Sequence, residues 1–179
     1  MLILLDQDGV LADFEVGFRG AWTARYAHHM PALPPHSRKS FRLRDDYPHH
    51  LADAVSSVYE SPGFYLNLPP MPGALDGIRE MIAEGHDVRI CTSPLTPWHH
   101  CVSEKYEWVE RYLGAEFTER MILTKDKTLV RGDVLVDDKP RIRGAETPIW
   151  KHVLYEAPYN RTVAGPRMTW ETWRDAIKQ

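Results

Sequence analysis

Short apolar runs that end in polar residues recur along the chain and predict the strands of a parallel sheet. The first run covers residues 2–5 and is followed at once by Asp6. A continuous apolar run of this length, bounded by turn-forming residues, is typical of a strand buried on both faces. The same pattern predicts strands at residues 87–91, 120–123 and 133–136, and residues 152–155 can add a fifth.

Segments with helical periodicity lie between these runs. The 3.6-residue period predicts helices over residues 74–84 and 102–113, and a glycine follows each of them. Thr169 is in the position to cap a final helix that contains Trp170 and Trp173. Strands that alternate with helices indicate an α/β fold with a parallel sheet and right-handed crossovers.

Residues 14–71 interrupt this alternation. The segment has no apolar strand pattern, and it is rich in aromatic residues, prolines and charges. We therefore predict a small, mainly helical cap inserted after the first strand, while residues 1–13 and 72–179 form the α/β core.

Polar residues gather where the predicted strands end. In an open parallel sheet, ligands bind outside the carboxyl ends of the strands. The sequence therefore predicts one crevice, formed by Asp6, Asp8, Thr92, Ser93, Lys127, Asp137 and Asp138.

The residue types in this crevice indicate phosphoryl transfer. Several carboxylates at one point repel each other unless a hard cation lies among them, and Mg²⁺ prefers a few carboxylates together with waters and a phosphate oxygen. The hydroxyls of Thr92 and Ser93 and the ammonium of Lys127 suit an anionic phosphate. One carboxylate is then available as a nucleophile and another as a general acid and base.

Composition and charge narrow the class of partner. The 179 residues include 22 basic and 25 acidic side chains, and the net charge of −3 gives no global reason to expect a nucleic-acid polymer or an anionic membrane. The chain begins with five apolar residues before Asp6 and has no apolar run of 18 residues, so we expect neither a secretory signal nor a membrane span. Cys91 and Cys101 are expected to be reduced thiols in a cytoplasmic protein.

Four ordered motifs resemble those of the haloacid-dehalogenase-like phosphohydrolases. They are DQDGVLADF from Asp6, CTSPL from Cys91, TKDKT around Lys127 and VDDKP from Val136. Within that superfamily the chain is more similar to the 5'(3')-deoxyribonucleotidases, and the similarity extends over most of its length. The further matching stretches are LPPMPGA from Leu68, EKYEWVERY from Glu104 and GAETPIWKHVL from Gly144.

This resemblance implies a Rossmann-type parallel sheet with a small helical cap, and a Mg²⁺-dependent phosphatase that acts on (deoxy)nucleoside monophosphates. By resemblance, Asp6 would attack phosphorus and form an aspartyl-phosphate, while Asp8 would protonate the leaving sugar oxygen and later activate water. The side chains of Asp6 and Asp138 and the backbone carbonyl of Asp8 would hold Mg²⁺, and Asp137 would hold a coordinated water or orient a ligand. Lys127 would neutralise the nucleophile and the transferring group.

The substrate contacts are likewise implied by the resemblance. Ser93, and secondarily Thr92, would bind the phosphoryl oxygens. The remaining contacts would be Phe14, Phe41 and Tyr65 around the base and sugar, Leu95 in the same pocket, and Lys105 and Lys125 against the phosphate or sugar. The family also implies a homodimer formed through the core.

Two other functions stay open from the sequence. The fold does not determine the leaving group, so the chain could be a phosphatase for another small phosphomonoester. A non-catalytic nucleotide-binding protein is a further alternative, against which the intact acids argue.

Three charged residues are expected outside the crevice. Arg38 and Arg42 are expected on a solvated face, although Arg42 could instead lie near the substrate. Asp133 is expected to be a turn or cap residue before its strand.

Overall fold

A parallel sheet forms the centre of the computed structural model, which describes residues 1–178. Gln179, the last residue of the predicted core, lies outside the described residues. Within this range the sheet has six strands: β1 (Leu2–Leu5), β2 (Asp87–Thr92), β3 (Met121–Leu123), β4 (Val134–Asp137), β5 (Lys151–Tyr155) and β6 (Arg167–Met168). Their order is β3-β2-β1-β4-β5-β6, and every pairing is parallel. The predicted α/β fold is therefore confirmed.

Strand β1 lies in the middle of the sheet, which explains its apolar sequence. Ile3, Leu4 and Leu5 have no exposed surface, and Ile3 lies opposite Val88 of β2 and Val134 of β4. The chain adds β2 and β3 on one side of β1 and then crosses to β4 on the other side. The strand order therefore reverses between β1 and β4, and ligands bind at such a reversal in open parallel sheets.

The five predicted strands are present, with ends that differ from the prediction by one residue at most. Strand β6 was not predicted, because its two residues contain no apolar run. Asp133 lies before β4 as expected, and its Oδ2 accepts a hydrogen bond of 2.7 Å from the backbone N–H of Leu2. This carboxylate therefore ties the amino ends of β1 and β4 together, away from the crevice.

The helices between the strands also follow the sequence pattern. They are α1 (Phe14–Tyr26), α2 (Ala52–Tyr59), α3 (Ala74–Ala83), α4 (Cys101–Leu113), α5 (Ala115–Thr118) and α6 (Trp173–Ala176). Helices α3 and α4 match the two predicted from periodicity. All the helices within residues 1–178 are too short or too polar to span a lipid bilayer.

The prediction that Thr169 caps the final helix was wrong. Helix α6 begins only at Trp173 and is one turn long, and Thr172 stands at its amino end without a capping hydrogen bond from its side chain. The reason is the burial of Trp170, whose Nε1 donates a 2.8 Å hydrogen bond to the carbonyl of Val10. Residues 169–172 form a turn that places this indole in the core, and the helix begins only after this turn.

Residues 14–71 are mainly helical, as the sequence predicts. They form α1, α2 and three short 3₁₀ helices, and an aromatic cluster packs between them. The ring centroid of Trp22 lies 4.8 Å from that of Tyr47 and 5.0 Å from that of Tyr26. The division of the chain into a core and a cap at residues 14 and 71 stays a prediction.

Candidate active site

A cavity of about 870 Å³ opens at the carboxyl ends of the central strands. Its wall combines strand ends with residues from the helical segment 14–71. All the site residues predicted from the sequence line this cavity, except Thr92 and Lys105. Residues far apart in the sequence therefore meet at the edge of the sheet that the strand pattern indicated.

Three carboxylates lie together in this cavity. Asp6 follows β1, Asp137 ends β4 and Asp138 comes next, and one oxygen of each lies within 4.8 Å of the others. The Nζ of Lys127 lies 2.9 Å from Asp6 Oδ1 and 2.6 Å from Asp137 Oδ2. One ammonium against three carboxylates leaves an excess of negative charge, which fits a hard divalent cation with oxygen ligands.

The pKa shifts record this crowding. Burial, together with the neighbouring charges of Asp137 and Asp6, raises the pKa of Asp138 well above its usual value. Burial also raises the pKa of Asp137 to about 6, although Lys127 acts in the opposite direction. Burial by itself would lower the pKa of Lys127, but the carboxylates of Asp6 and Asp137 outweigh it and raise that pKa. A cation among the carboxylates would offset both their burial and their mutual repulsion.

Asp8 forms an ion pair with a buried lysine. Lys105 of α4 is 0% exposed, and its Nζ donates hydrogen bonds to Asp8 Oδ2 at 2.6 Å and to Thr92 Oγ1 at 3.0 Å. Lys105 and Thr92 are both buried and neither lines the cavity, so their expected contacts with substrate stay a prediction. Burial raises the pKa of the Asp8 carboxyl, and Lys105 opposes the rise.

The rest of the cavity wall has the expected character. Ser93 is exposed directly after β2, and the aromatic rings of Phe14, Phe41 and Tyr65 each line the cavity. Leu95 and the exposed Lys125 line it as well. Phosphate-type donors and aromatic rings suited to a planar base therefore line the same cavity.

Comparisons with known proteins show the family of the chain. The family described as "5' nucleotidase, deoxy (Pyrimidine), cytosolic type C protein" matches residues 1–179. The chain belongs to this 5'-nucleotidase family. The human 5'(3')-deoxyribonucleotidase of the cytosolic type is 48% identical over 186 residues, which are 98% of this chain and 92% of that protein. A Bordetella bronchiseptica protein whose name places it among the 5'(3')-deoxyribonucleotidases is 53% identical over 181 residues, 99% of this chain and 95% of its own.

The solved structures support the same fold. A haloacid-dehalogenase (HAD) family hydrolase from Deinococcus radiodurans R1, crystallised with phosphate and sodium, has a TM-score of 0.62 and 16% sequence identity. The alignment covers 98% of this chain and 94% of that one. The family and its human members identify the chain as a deoxyribonucleotidase, an enzyme that hydrolyses phosphomonoesters.

Two residues of this nucleotidase site were missed or misplaced by the sequence analysis. Arg38 was expected on a solvated face, but it is only 4% exposed and forms ion pairs with Glu15 and, at 2.7 Å, with Asp46. Its guanidinium lies 5.0 Å from the ring centroid of Tyr159, whose hydroxyl donates a hydrogen bond to Asp138. Tyr159 could have been found, since it follows β5 at the same edge of the sheet.

Gly9 lets the loop after β1 pass close to the carboxylate of Asp138. Its φ is +75°, and a Cβ at this position would overlap Asp138 Oδ2. We expect Gly9→Ala to lower the turnover of this nucleotidase by about a hundredfold, because displacing a reacting group by about 1 Å has an effect of that size. Phosphate release under saturating substrate is the measurement.

Gly85→Ala is the matched control for this substitution. Gly85 has a similar φ of +83°, but a Cβ there would meet no other atom within 4 Å. Both variants carry a backbone strain of about 1 kcal/mol, visible in thermal unfolding, whereas only Gly9→Ala displaces a carboxylate. Equal turnover of the two variants would contradict the role of Gly9.

Proposed function

We propose that this enzyme hydrolyses deoxynucleoside monophosphates with Mg²⁺, through an aspartyl-phosphate on Asp6. The observation that carries the proposal is the cluster of Asp6, Asp137 and Asp138 around Lys127, in a cavity that aromatic rings also line. The names of the human relatives support a deoxynucleotide substrate.

Asp6 is the nucleophile in this proposal. Lys127 and the backbone N–H of Gln7 both contact its Oδ1, at 2.9 and 2.8 Å, so these contacts hold the carboxylate and leave Oδ2 for attack. A bond forms between Asp6 and phosphorus while the ester bond between phosphorus and the sugar oxygen breaks. Lys127 neutralises charge on the transferring group, and Ser93 donates to a phosphoryl oxygen.

Asp8 moves the protons. It donates its proton to the sugar oxygen as the ester bond breaks, and it then takes a proton from the water that attacks phosphorus. That attack breaks the bond to Asp6 and releases phosphate. The raised pKa of the Asp8 carboxyl favours the protonated form that the first step requires.

The side chains of Asp6 and Asp138 and the backbone carbonyl of Asp8 would hold the metal ion. When bound, Mg²⁺ supplies positive charge that stabilises the phosphoryl oxygens in the transition state. Asp137 orients ligands in this scheme, because its Oδ2 accepts from Lys127 at 2.6 Å and its Oδ1 accepts from the backbone N–H of Lys139 at 2.8 Å. Tyr159 holds the Asp138 carboxylate from the other side.

The partners and location follow the same reasoning. A free nucleotide, and not a nucleic-acid polymer, fits the cavity chemistry. The human relatives are named for the cytosol and for the mitochondrion, and the former supports a cytoplasmic location. Dimerisation through the core stays a prediction.

One panel of substrates tests the proposal. Phosphate release is measured from deoxy- and ribonucleoside 5'- and 3'-monophosphates and from sugar phosphates, with Mg²⁺, with EDTA, and with EDTA followed by excess Mg²⁺. We expect deoxynucleotides to turn over, activity to disappear with EDTA and Mg²⁺ to restore it. Faster turnover of sugar phosphates would indicate that the natural substrate is another phosphomonoester. No turnover of any nucleotide would overturn the proposal, and unchanged activity with EDTA would show that the mechanism needs no metal ion.

A further inference from the structure

Helix α4 holds the segment that carries Tyr65 through a buried carboxylate. Glu104 is only 6% exposed, and its carboxylate accepts three hydrogen bonds from backbone N–H groups. The donors are Gly63 at 2.6 Å, Tyr65 at 3.0 Å and Leu66 at 3.4 Å. Glu104 therefore binds the backbone of residues 63–66 at three of its four N–H groups.

Two further side chains on the same face of α4 continue this contact. Trp108 Nε1 donates to the carbonyl of Leu68 at 2.8 Å, and an Arg111 guanidinium nitrogen donates to the carbonyl of Leu66 at 3.1 Å. Glu104, Trp108 and Arg111 are spaced four and three residues apart, so they share one helix face. Of these three side chains, Glu104 is the one that binds the backbone N–H of Tyr65.

The chemistry of Glu104 indicates a positioning role. A buried carboxylate is costly unless it is paired or hydrogen-bonded. The adjacent cation, Lys105, forms its ion pair with Asp8, so backbone N–H groups provide the charge compensation for Glu104. Hydrogen bonds to a charged group are stronger and more directional than apolar packing, and they restrict the backbone at residues 63–66 to one position.

Tyr65 transmits this restriction to the cavity. Its side chain lines the cavity, and its ring centroid lies 5.0 Å from the Nζ of Lys105. Phe64 packs edge-on against Tyr65 at 5.1 Å and against Phe14 at 5.3 Å. A shift of the backbone at residues 63–66 would therefore displace the ring of Tyr65 and, through Phe64, disturb the packing of Phe14, and both of these rings line the cavity.

We propose that Glu104 is a positioning residue for nucleotide binding, which places Tyr65 against the nucleoside part of the substrate. This inference rests on the proposed function, because the position of Tyr65 is measured through nucleotide affinity. Phosphate chemistry occurs at Asp6 and Lys127, which do not contact Glu104. The binding of the nucleoside part and the chemical step are therefore expected to respond separately.

The first test compares Glu104→Gln with Glu107→Gln, an exposed residue on the same helix. The glutamine amide has one acceptor and one donor, so its NH₂ group faces backbone N–H donors that it cannot satisfy. We expect KM for deoxynucleoside monophosphates to rise about tenfold, with kcat within about twofold of wild type. The inhibition constant of inorganic phosphate, which has no nucleoside part, is expected to stay unchanged, and Glu107→Gln is expected to match wild type.

A double-mutant cycle with Tyr65→Leu separates positioning from general damage. If Glu104 acts through Tyr65, Glu104→Gln adds no further rise in KM once the ring is removed. An additive rise, or a parallel loss of phosphate binding, overturns the inference. If Glu104→Gln does not fold, the cycle is run with Glu104→Asp, which keeps the charge but shortens the reach. If the wild type does not hydrolyse nucleotides, both the proposed function and this inference are overturned. If the wild type is active and the effects of the two substitutions on KM are additive, only this inference is overturned.

Discussion

Asp6→Asn is expected to reduce nucleotide hydrolysis by at least about four orders of magnitude, as does removal of other essential nucleophiles. Asparagine keeps the shape of the side chain but cannot form the covalent phosphoryl intermediate. The hydrogen bond from Gln7 to Oδ1 can persist, so the loop after β1 is expected to keep its conformation. Lys127 also keeps its 2.6 Å contact with Asp137.

Stability provides the internal check on Asp6→Asn. The substitution removes one of three crowded carboxylates, and Asp6 is among the charges that raise the pKa of both Asp137 and Asp138. We therefore expect those two pKa values to fall and the melting temperature without metal not to decrease. A large loss of stability would mean that the inactive variant is simply misfolded.

Asp76→Asn is the matched control for Asp6→Asn. Asp76 is an exposed carboxylate in the first turn of α3, where it contacts Arg79 at 2.8 Å. Exposed ion pairs of this kind contribute little, so turnover is expected to equal that of the wild type. Phosphate release and trapping of the acyl-phosphate with hydroxylamine are the measurements. Full activity of Asp6→Asn would overturn the assignment of the nucleophile.

Lys105→Met is expected to lower kcat for deoxynucleotides by about a hundredfold, at the lower end of what general acid and base catalysis contributes. Methionine fills a similar volume, but it leaves Asp8 without its 2.6 Å ion-pair partner and Thr92 without its donor. The Asp8 carboxyl is then no longer held toward the sugar oxygen. Phosphate binding should change little, because Lys105 does not line the cavity.

The leaving group distinguishes this explanation from a general loss of structure. A sugar alkoxide needs a proton as it departs, whereas p-nitrophenolate does not. In single-turnover measurements, Lys105→Met should slow the release of the nucleoside strongly and the release of p-nitrophenolate much less. The exposed Lys39→Met serves as the control and should resemble the wild type for both esters. An equal decrease for both esters would show that Lys105 does not act through Asp8.

The elements that the sequence predicted are those encoded by local patterns. Strand β1 is a short apolar run because it is buried between β2 and β4, and helix α3 has the apolar period of a helix with one buried face. Strand β6 and the late start of α6 were missed, because they depend on distant contacts. Trp170 reaches the carbonyl of Val10, 160 residues earlier, and this bond interrupts the predicted helix.

The sequence by itself indicated which acids and which lysine the fold brings together at the edge of the sheet. Asp6, Asp137, Asp138 and Lys127 come directly after predicted strands or short loops, and the parallel sheet must bring such positions to one edge. Only the tertiary structure decided the roles of the other charged residues. Lys105 forms an ion pair with Asp8, and Arg38 forms ion pairs with Glu15 and Asp46. Glu104 accepts a hydrogen bond from the backbone N–H of Tyr65.

The physical reason is that the role of a charged side chain depends on its burial and its partners. Lys105 and Asp8 are 97 positions apart, and Glu104 and Tyr65 are 39 apart, so no local pattern connects them. The sequence predicts a substrate contact for Lys105, whereas packing buries its side chain and leaves the Asp8 carboxylate within reach as its ion-pair partner.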